Sequence, residues 1–175
     1  MAIKWKKTIN ADFKADLARG RIGELAFLHA TEGTLIPTDG RTGDFMLGKH
    51  KVEVKNDHYD MNNTENFFME VYSSGTKPGG AYQALEHGCK YYCYIYVPNA
   101  ELFIFDTKAL CERLDLLHDS RNLTLTSVGN RGYTTRGLKV HRDWLMDLVI
   151  EPSTIGLKYD NSKYNWYINY NKAEP

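Results

Sequence analysis

Apolar positions along the chain change period several times, and each change marks an element. From Gly20 to Ala30 (GRIGELAFLHA), Ile22, Leu25, Ala26 and His29 fall at i, i+3, i+4 and i+7, the spacing of a helix with one buried stripe. Glu24 lies off that stripe, beside Phe27 and Leu28. The period then drops to two. Phe45 to Leu47 and Val52 to Val54 flank a GKHK turn, and NFFMEVYSS (Asn66 to Ser74) reads as a third strand. GTKPGG opens a second helix, AYQALEHG, which Gly88 can terminate. KYYCYIYV and ELFIFD are two further strands joined through Pro98 and Asn99. In the first, Tyr92, Tyr94 and Tyr96 share one face while Tyr91, Cys93, Ile95 and Val97 share the other, as in a sheet covered on both sides. A helix from Thr107 to about His118 follows, with Thr107 as its N-cap, and RDWLMDLVI supplies a last helix or helix–strand element. The tail, Tyr159 to Asn171, is polar and aromatic. A docked terminal strand is its most economical reading, although its rings could stack on bases or form a dimer surface. The order predicts one α/β domain over 1–175, with a mixed sheet flanked by helices, a core over about 12–118 and a C-terminal extension over about 119–175.

The hairpin raises an electrostatic question. With Gly48 and Lys49 as a two-residue turn, glycine first suits type II′, and Phe45 pairs with Val52, Met46 with Lys51 and Leu47 with His50. Asp44 then stands opposite Glu53, and Lys55 projects from the same face. Like charges directly opposed are destabilising, and more so when desolvated. A divalent cation between two carboxylates reverses the sign of that interaction, and hard oxygen ligands suit Mg²⁺ or Mn²⁺. The Val54 carbonyl could add a ligand. A longer turn, Gly48 to Lys51, would instead set Asp44 against Lys55 as a simple ion pair.

Asp44, eight residues, then Glu53-Val54-Lys55 resembles the PD-(D/E)XK nuclease superfamily, the fold of many restriction enzymes and Holliday-junction resolvases. DLARGRIGELAFLHA (Asp16 to Ala30) is similar to the first helix of that core, where a Gly-x-x-Gly-Glu pattern presents an acid, here Glu24, to the metal site. The family's proline is Gly43 here, and Gln83 is followed four residues later by His87 rather than by the tyrosine of some recombination exonucleases. The resemblance implies a restriction-endonuclease-like central mixed sheet and Mg²⁺- or Mn²⁺-assisted hydrolysis of DNA, double-stranded or branched, with cutting inside the strand. It implies Asp44, Glu53, Glu24 and the Val54 carbonyl as metal ligands and Lys55 as the residue that orients water or meets charge on the phosphate. A homodimer is the usual assembly of such enzymes. Glu70 on the third strand is first of all an edge-strand glutamate, with an accessory place in the cleft as the alternative. Gln83 could contact Lys55 or a phosphate, and GTKPGG, with Lys77, matches no P-loop but could touch DNA.

Charge and composition modify this only slightly. Twenty-two basic residues balance 22 acidic ones, so overall charge does not itself point to nucleic acid. From Arg121 to Arg142, however, no Asp or Glu interrupts the basic residues, and Arg131, Arg136, Lys139 and Arg142 are candidate phosphate contacts. Three cysteines without a CxxC pair read as buried thiols, and six scattered histidines lack zinc spacing. No apolar run is long enough to span a membrane and no signal peptide is visible, so a cytoplasmic protein is expected. A binding or assembly protein that keeps a nuclease-like fold without catalysis is the alternative function.

Overall fold

The alternation along KYYCYIYV requires cover on both faces of that strand, and the fold supplies it from two directions. The computed structural model describes residues 18–58, 64–121, 123–130 and 133–172. Helix α1 (18–30) leads into β1 (Ile36–Pro37), β2 (Phe45–Leu47), β3 (His50–Asp57) and β4 (Asn66–Ser74). Then come β5 (Lys77–Pro78), α2 (Gly80–Glu86), β6 (Cys89–Tyr96), β7 (Glu101–Asp106) and α3 (Thr107–Arg121). The hairpin β8 (Thr126–Asn130) and β9 (Tyr133–His141), three 3₁₀ turns and α4 (Asn161–Lys172) complete the order. The architecture is α/β, with a mixed sheet flanked by helices.

The first sheet runs β1-β2-β3-β6-β7, with β3 and β6 parallel and the other pairs antiparallel. The second runs β5-β4-β9-β8 and is antiparallel throughout. Tyr92, Tyr94, Tyr96, Phe103 and Phe105 cover one face of the first sheet and pack on Phe67, Met69, Leu138 and Val140 of the second, with α2 and α3 alongside. The opposite face, with Phe45, Val52, Val54, Cys93 and Ile95, packs against Ala26, Phe27 and Ala30 of α1 and Tyr164 and Ile168 of α4. Residues beyond 119 thus supply both cores. Two buried phenols also tie the sheets together: Tyr94 donates to the Asp57 carboxylate and accepts the Phe68 N–H (3.3 Å), and Tyr96 donates to the Asn66 carbonyl (2.9 Å). Among the described residues, no helix is long and apolar enough to cross a membrane.

Several expectations are corrected. The strand Asn66–Ser74 does not join the hairpin's sheet, because β3 pairs directly with β6 and β4 pairs with β9 of the β8–β9 hairpin. The buried stripe of α1 is Gly23, Ala26, Phe27 and Ala30; Leu25 and His29 are exposed, one position out of the expected phase. Asp106, not Thr107, caps α3 by accepting the Ala109 N–H (3.1 Å). RDWLMDLVI forms 3₁₀ turns, fastened where Arg113 donates to the Trp144 carbonyl (2.7 Å) and grips Asp147 with both terminal nitrogens. The tail is helical, not a strand: Asp160 accepts the Ser162 and Lys163 N–H groups at its start, and Tyr164 and Ile168, one turn apart, face the core.

The phenol of Tyr94 is expected to matter for stability, since its loss strips one partner from a buried carboxylate and one from a backbone N–H. Tyr94→Phe should cost about 2 kcal/mol, a fall of roughly 4–8 °C in Tm by thermal denaturation. An unchanged Tm would mean that apolar packing alone holds the sheets together.

Candidate functional site

The hairpin adopts the two-residue turn. Phe45 pairs with Val52, Met46 with Lys51 and Leu47 with His50, and Gly48 takes a φ of 57° while Lys49 stays at negative φ, as a type II′ turn requires. Just outside β2, where the β2–β3 register ends at Phe45 and Val52, Asp44 donates its N–H to the Val52 carbonyl (2.9 Å). Its carboxylate turns inward, where Oδ2 accepts the Val54 N–H at 2.8 Å. Within a strand the N–H and C=O of one residue point to the same side, so the Val54 carbonyl also faces the edge that β2 has vacated. Thr38 clamps the approach by donating its N–H to the Asp44 carbonyl (2.9 Å) and its hydroxyl to the Gly43 carbonyl. Gly43 has a φ of 111°, which proline cannot adopt, and a Cβ there would stand 2.9 Å from Cys89 Sγ. Glycine at this position therefore has a local cause.

Glu24 arrives on α1. A Cβ on Gly23 would lie 2.5 Å from Asn56 Cγ, so only glycine lets the helix rest this closely on β3. Asn56 is itself held by the Tyr164 hydroxyl of α4 (2.8 Å). The three acids are close enough to perturb one another. Burial and the neighbouring Asp44 raise the Glu24 carboxyl, with Arg21 opposing. Burial raises Asp44 despite the stabilising Val54 N–H. Burial, then Asp44 and Glu24, push Glu53 up to about 8, and Lys55 offsets only part of that. Cys89, against the same edge, is pushed to about 11 by burial and the Glu53 charge. Among the described residues, no group of three or more His, Cys, Asp or Glu side chains is arranged to hold a metal ion as it stands. The acids share a field without forming a ready-made cage.

Lys55 does not pair with Asp44. Its nearest carboxylate is Glu70, at 3.9 Å. Glu70 is no edge-strand residue, since β4 lies inside the second sheet and the Glu70 side chain is mostly buried. Gln83 is exposed on α2, and among the described residues no side-chain hydrogen bond joins it to Lys55. The glycine-rich loop is not an open cradle for phosphate: the Gly79 N–H donates to the Val71 carbonyl (2.9 Å), and Glu70 fills the space beside Gly79 and Gly80. Lys77 and Lys139 are exposed on the second sheet. Arg136 has an internal task, donating to the Gly75 carbonyl (2.8 Å) and lying 4.6 Å over the Tyr72 ring. Arg142 sits just after β9, its guanidinium 4.0 Å from Asp143. Arg131 lies outside the described residues.

Sequence reasoning missed the neighbours that desolvate the acids. Tyr92 pairs with Glu53 across the parallel β3–β6 ladder, and its buried phenol is raised by burial and then by Glu53 and Glu70. No local signal gives a parallel register. Asn56 was better marked, as a polar residue within a strand opposite a glycine-bearing helix.

A pH dependence follows for the metal-free protein. The folded state holds the Glu53 proton to about 8 against 4.5 for the free group, so between those values it binds more protons than the unfolded chain. Stability contributed at this site is therefore greatest at low pH and falls as pH rises through the window. Glu53→Gln should stabilise the protein at pH 8.5 by on the order of 2 kcal/mol, with the gain shrinking towards pH 5. Urea unfolding in EDTA at both pH values reads this, and an equal gain at both would show that the carboxylate is not desolvated.

No protein-family model, curated protein or solved structure matches the chain.

Proposed function

We propose that the chain is a metal-dependent phosphodiesterase that cleaves DNA, with Asp44, Glu53 and Glu24 as its acidic centre and Lys55 as its cationic side chain. The observation that carries this reading is the position of Asp44. The Val54 N–H holds its carboxylate inward although burial opposes its charge, close enough to Glu53 and Glu24 for that charge to raise both. An ordinary solvated strand has no reason to turn that carboxylate in. The donor chemistry suits Mg²⁺ or Mn²⁺, being oxygen throughout, with the Val54 carbonyl on the same edge.

When bound, such an ion polarises the scissile phosphate and lowers the pKa of a water molecule. Asp44 and Glu53, with Glu24 directly or through water, would bind it. The tether from Val54 leaves one Asp44 oxygen uncommitted while fixing the plane of the other. Lys55 follows Glu53 by two residues on the same strand face, so its ammonium can donate to a phosphate oxygen or to the attacking water. The restriction-endonuclease-like core remains part of this proposal. It is supported by the order of α1, the β2–β3 hairpin and the parallel β3–β6 pair that α2 helps to connect.

One observation favours the non-catalytic alternative. Trp166 and Tyr170 are more than half exposed on α4 and stack on each other at 5.3 Å, a surface able to stack on bases. Salt-sensitive DNA binding without cleavage would support it.

The purified chain should cleave at least one of linear, nicked, flapped or four-way-junction DNA in Mg²⁺ or Mn²⁺ and stop in EDTA. Asp44→Asn should abolish cleavage and Lys55→Ala should slow single-turnover cleavage by roughly a hundredfold to a thousandfold, leaving a measurable residual rate, each while keeping the native circular dichroism spectrum. Full activity in either variant overturns these roles. Independently of turnover, Mn²⁺ should raise the Tm of the wild type and not that of an Asp44→Asn/Glu53→Gln double variant.

A further inference from the structure

Glu70 approaches the acidic centre from the other sheet. Its Oε2 lies 3.9 Å from Lys55 Nζ, with its side chain 15% exposed against 39% for the lysine. Among the described residues, no other ion pair joins a strand of the first sheet to a strand of the second. The carboxylate has little freedom. A Cβ on Gly79 would stand 2.5 Å from Glu70 Oε1, and one on Gly80 would stand 2.8 Å from the Glu70 carbonyl oxygen and 3.1 Å from its Cβ. The Gly79 N–H, given to the Val71 carbonyl (2.9 Å), ties this glycine pair to β4. Both glycines are thus explained by the room that Glu70 needs.

A separation of 3.9 Å is too long for a hydrogen bond, so Glu70 directs the ammonium through its field and leaves the three N–H groups free to donate elsewhere. That distinguishes the pair from a closed salt bridge, which would occupy the donors. A lysine has four rotatable bonds, and an unrestrained ammonium must be ordered at the moment of reaction. A fixed charge close by removes much of that cost in advance.

Resting on the phosphodiesterase reading above, we propose that Glu70 is the positioning residue for Lys55, holding the ammonium beside Glu53 with its protons free for the phosphate, and that Gly79 and Gly80 hold Glu70. The test is a double-mutant cycle of wild type, Glu70→Gln, Lys55→Ala and both together. Single-turnover cleavage is measured in Mg²⁺, and DNA affinity separately in EDTA. Glu70→Gln should slow single-turnover cleavage by roughly tenfold to a hundredfold with DNA affinity unchanged and the native circular dichroism spectrum kept, and should cost nothing further in the Lys55→Ala background. Equal losses in both backgrounds, or a loss confined to affinity, overturn the positioning role while leaving the phosphodiesterase reading intact. A wild type that cleaves none of the DNA substrates overturns both. A readout without turnover is acylation of each lysine by an amine-reactive ester, quantified by mass spectrometry. Labelling of Lys55 should rise relative to Lys49 and Lys51 in Glu70→Gln, and an unchanged ratio overturns the pairing.

Discussion

The bond from the Val54 N–H to Asp44 Oδ2 is the contact on which the acidic centre depends. Asp44 sits one residue beyond β2, where nothing in the ladder compels its side chain to turn inward. Loss of water opposes its charge there, and that charge in turn raises Glu24 and Glu53. A charge-assisted hydrogen bond contributes about 1.5–3 kcal/mol, enough to choose the inward conformation without removing the electrostatic cost. The raised carboxyl of Asp44 records that balance, since burial outweighs the bond. Around this contact the chain accepts unusual backbone, with Gly43 at a φ of 111° under the Thr38 clamp and Gly23 pressed on Asn56. At the acidic centre both of these departures from regular geometry are absorbed by glycine.

The second constraint is that the first sheet is buried on both faces by unlike layers. Helices α1 and α4 cover one face, and the second sheet with α2 and α3 covers the other. The apolar aromatic rings fill the space between sheets, and the hydroxyls of Tyr94 and Tyr96 end on Asp57 and on the β4 backbone. This fixes where β4 lies relative to β3, and therefore where Glu70 lies relative to Lys55. Geometry at the acidic centre is thus set from both sheets, although its carboxylates Asp44 and Glu53 come from one hairpin.

Local signals carried the hairpin. Alternation in FML and KVEVK puts both valines, Phe45 and Leu47 on one face, and Gly48 as the first turn residue selects between the two registers that keep them there. The face assignment of Tyr92, Tyr94 and Tyr96 was legible for the same reason. What could not be read was any pairing between distant segments. Nothing near β4 says that its partner is β9, some seventy residues on, or that β3 takes β6 as its neighbour. The phase of α1 went astray because Gly23 makes its closest contact and has no side chain for a periodicity scan to register. The tail misled because asparagine and tyrosine favour helices weakly. Asp160 as a cap and the Tyr164/Ile168 spacing were the signals that outweighed propensity.

The distribution of charge bears on how a polyanion could be handled at all. With no net charge, the chain has little long-range attraction for DNA, so attraction must come from local contacts. Arg136 is committed to Gly75 and Tyr72, which leaves the exposed Lys77 and Lys139 of the second sheet as freer cations. The ionised acids of the centre would repel a phosphodiester, and the raised Glu53 carboxyl shows that Lys55 alone does not offset their mutual repulsion. A divalent cation bound there would change both interactions at once, neutralising the acids that desolvation penalises and presenting positive charge to the phosphate. For the proposed reaction, cation and substrate binding are then coupled. The same acids that weaken DNA binding by the bare protein would strengthen it through a metal bound among them.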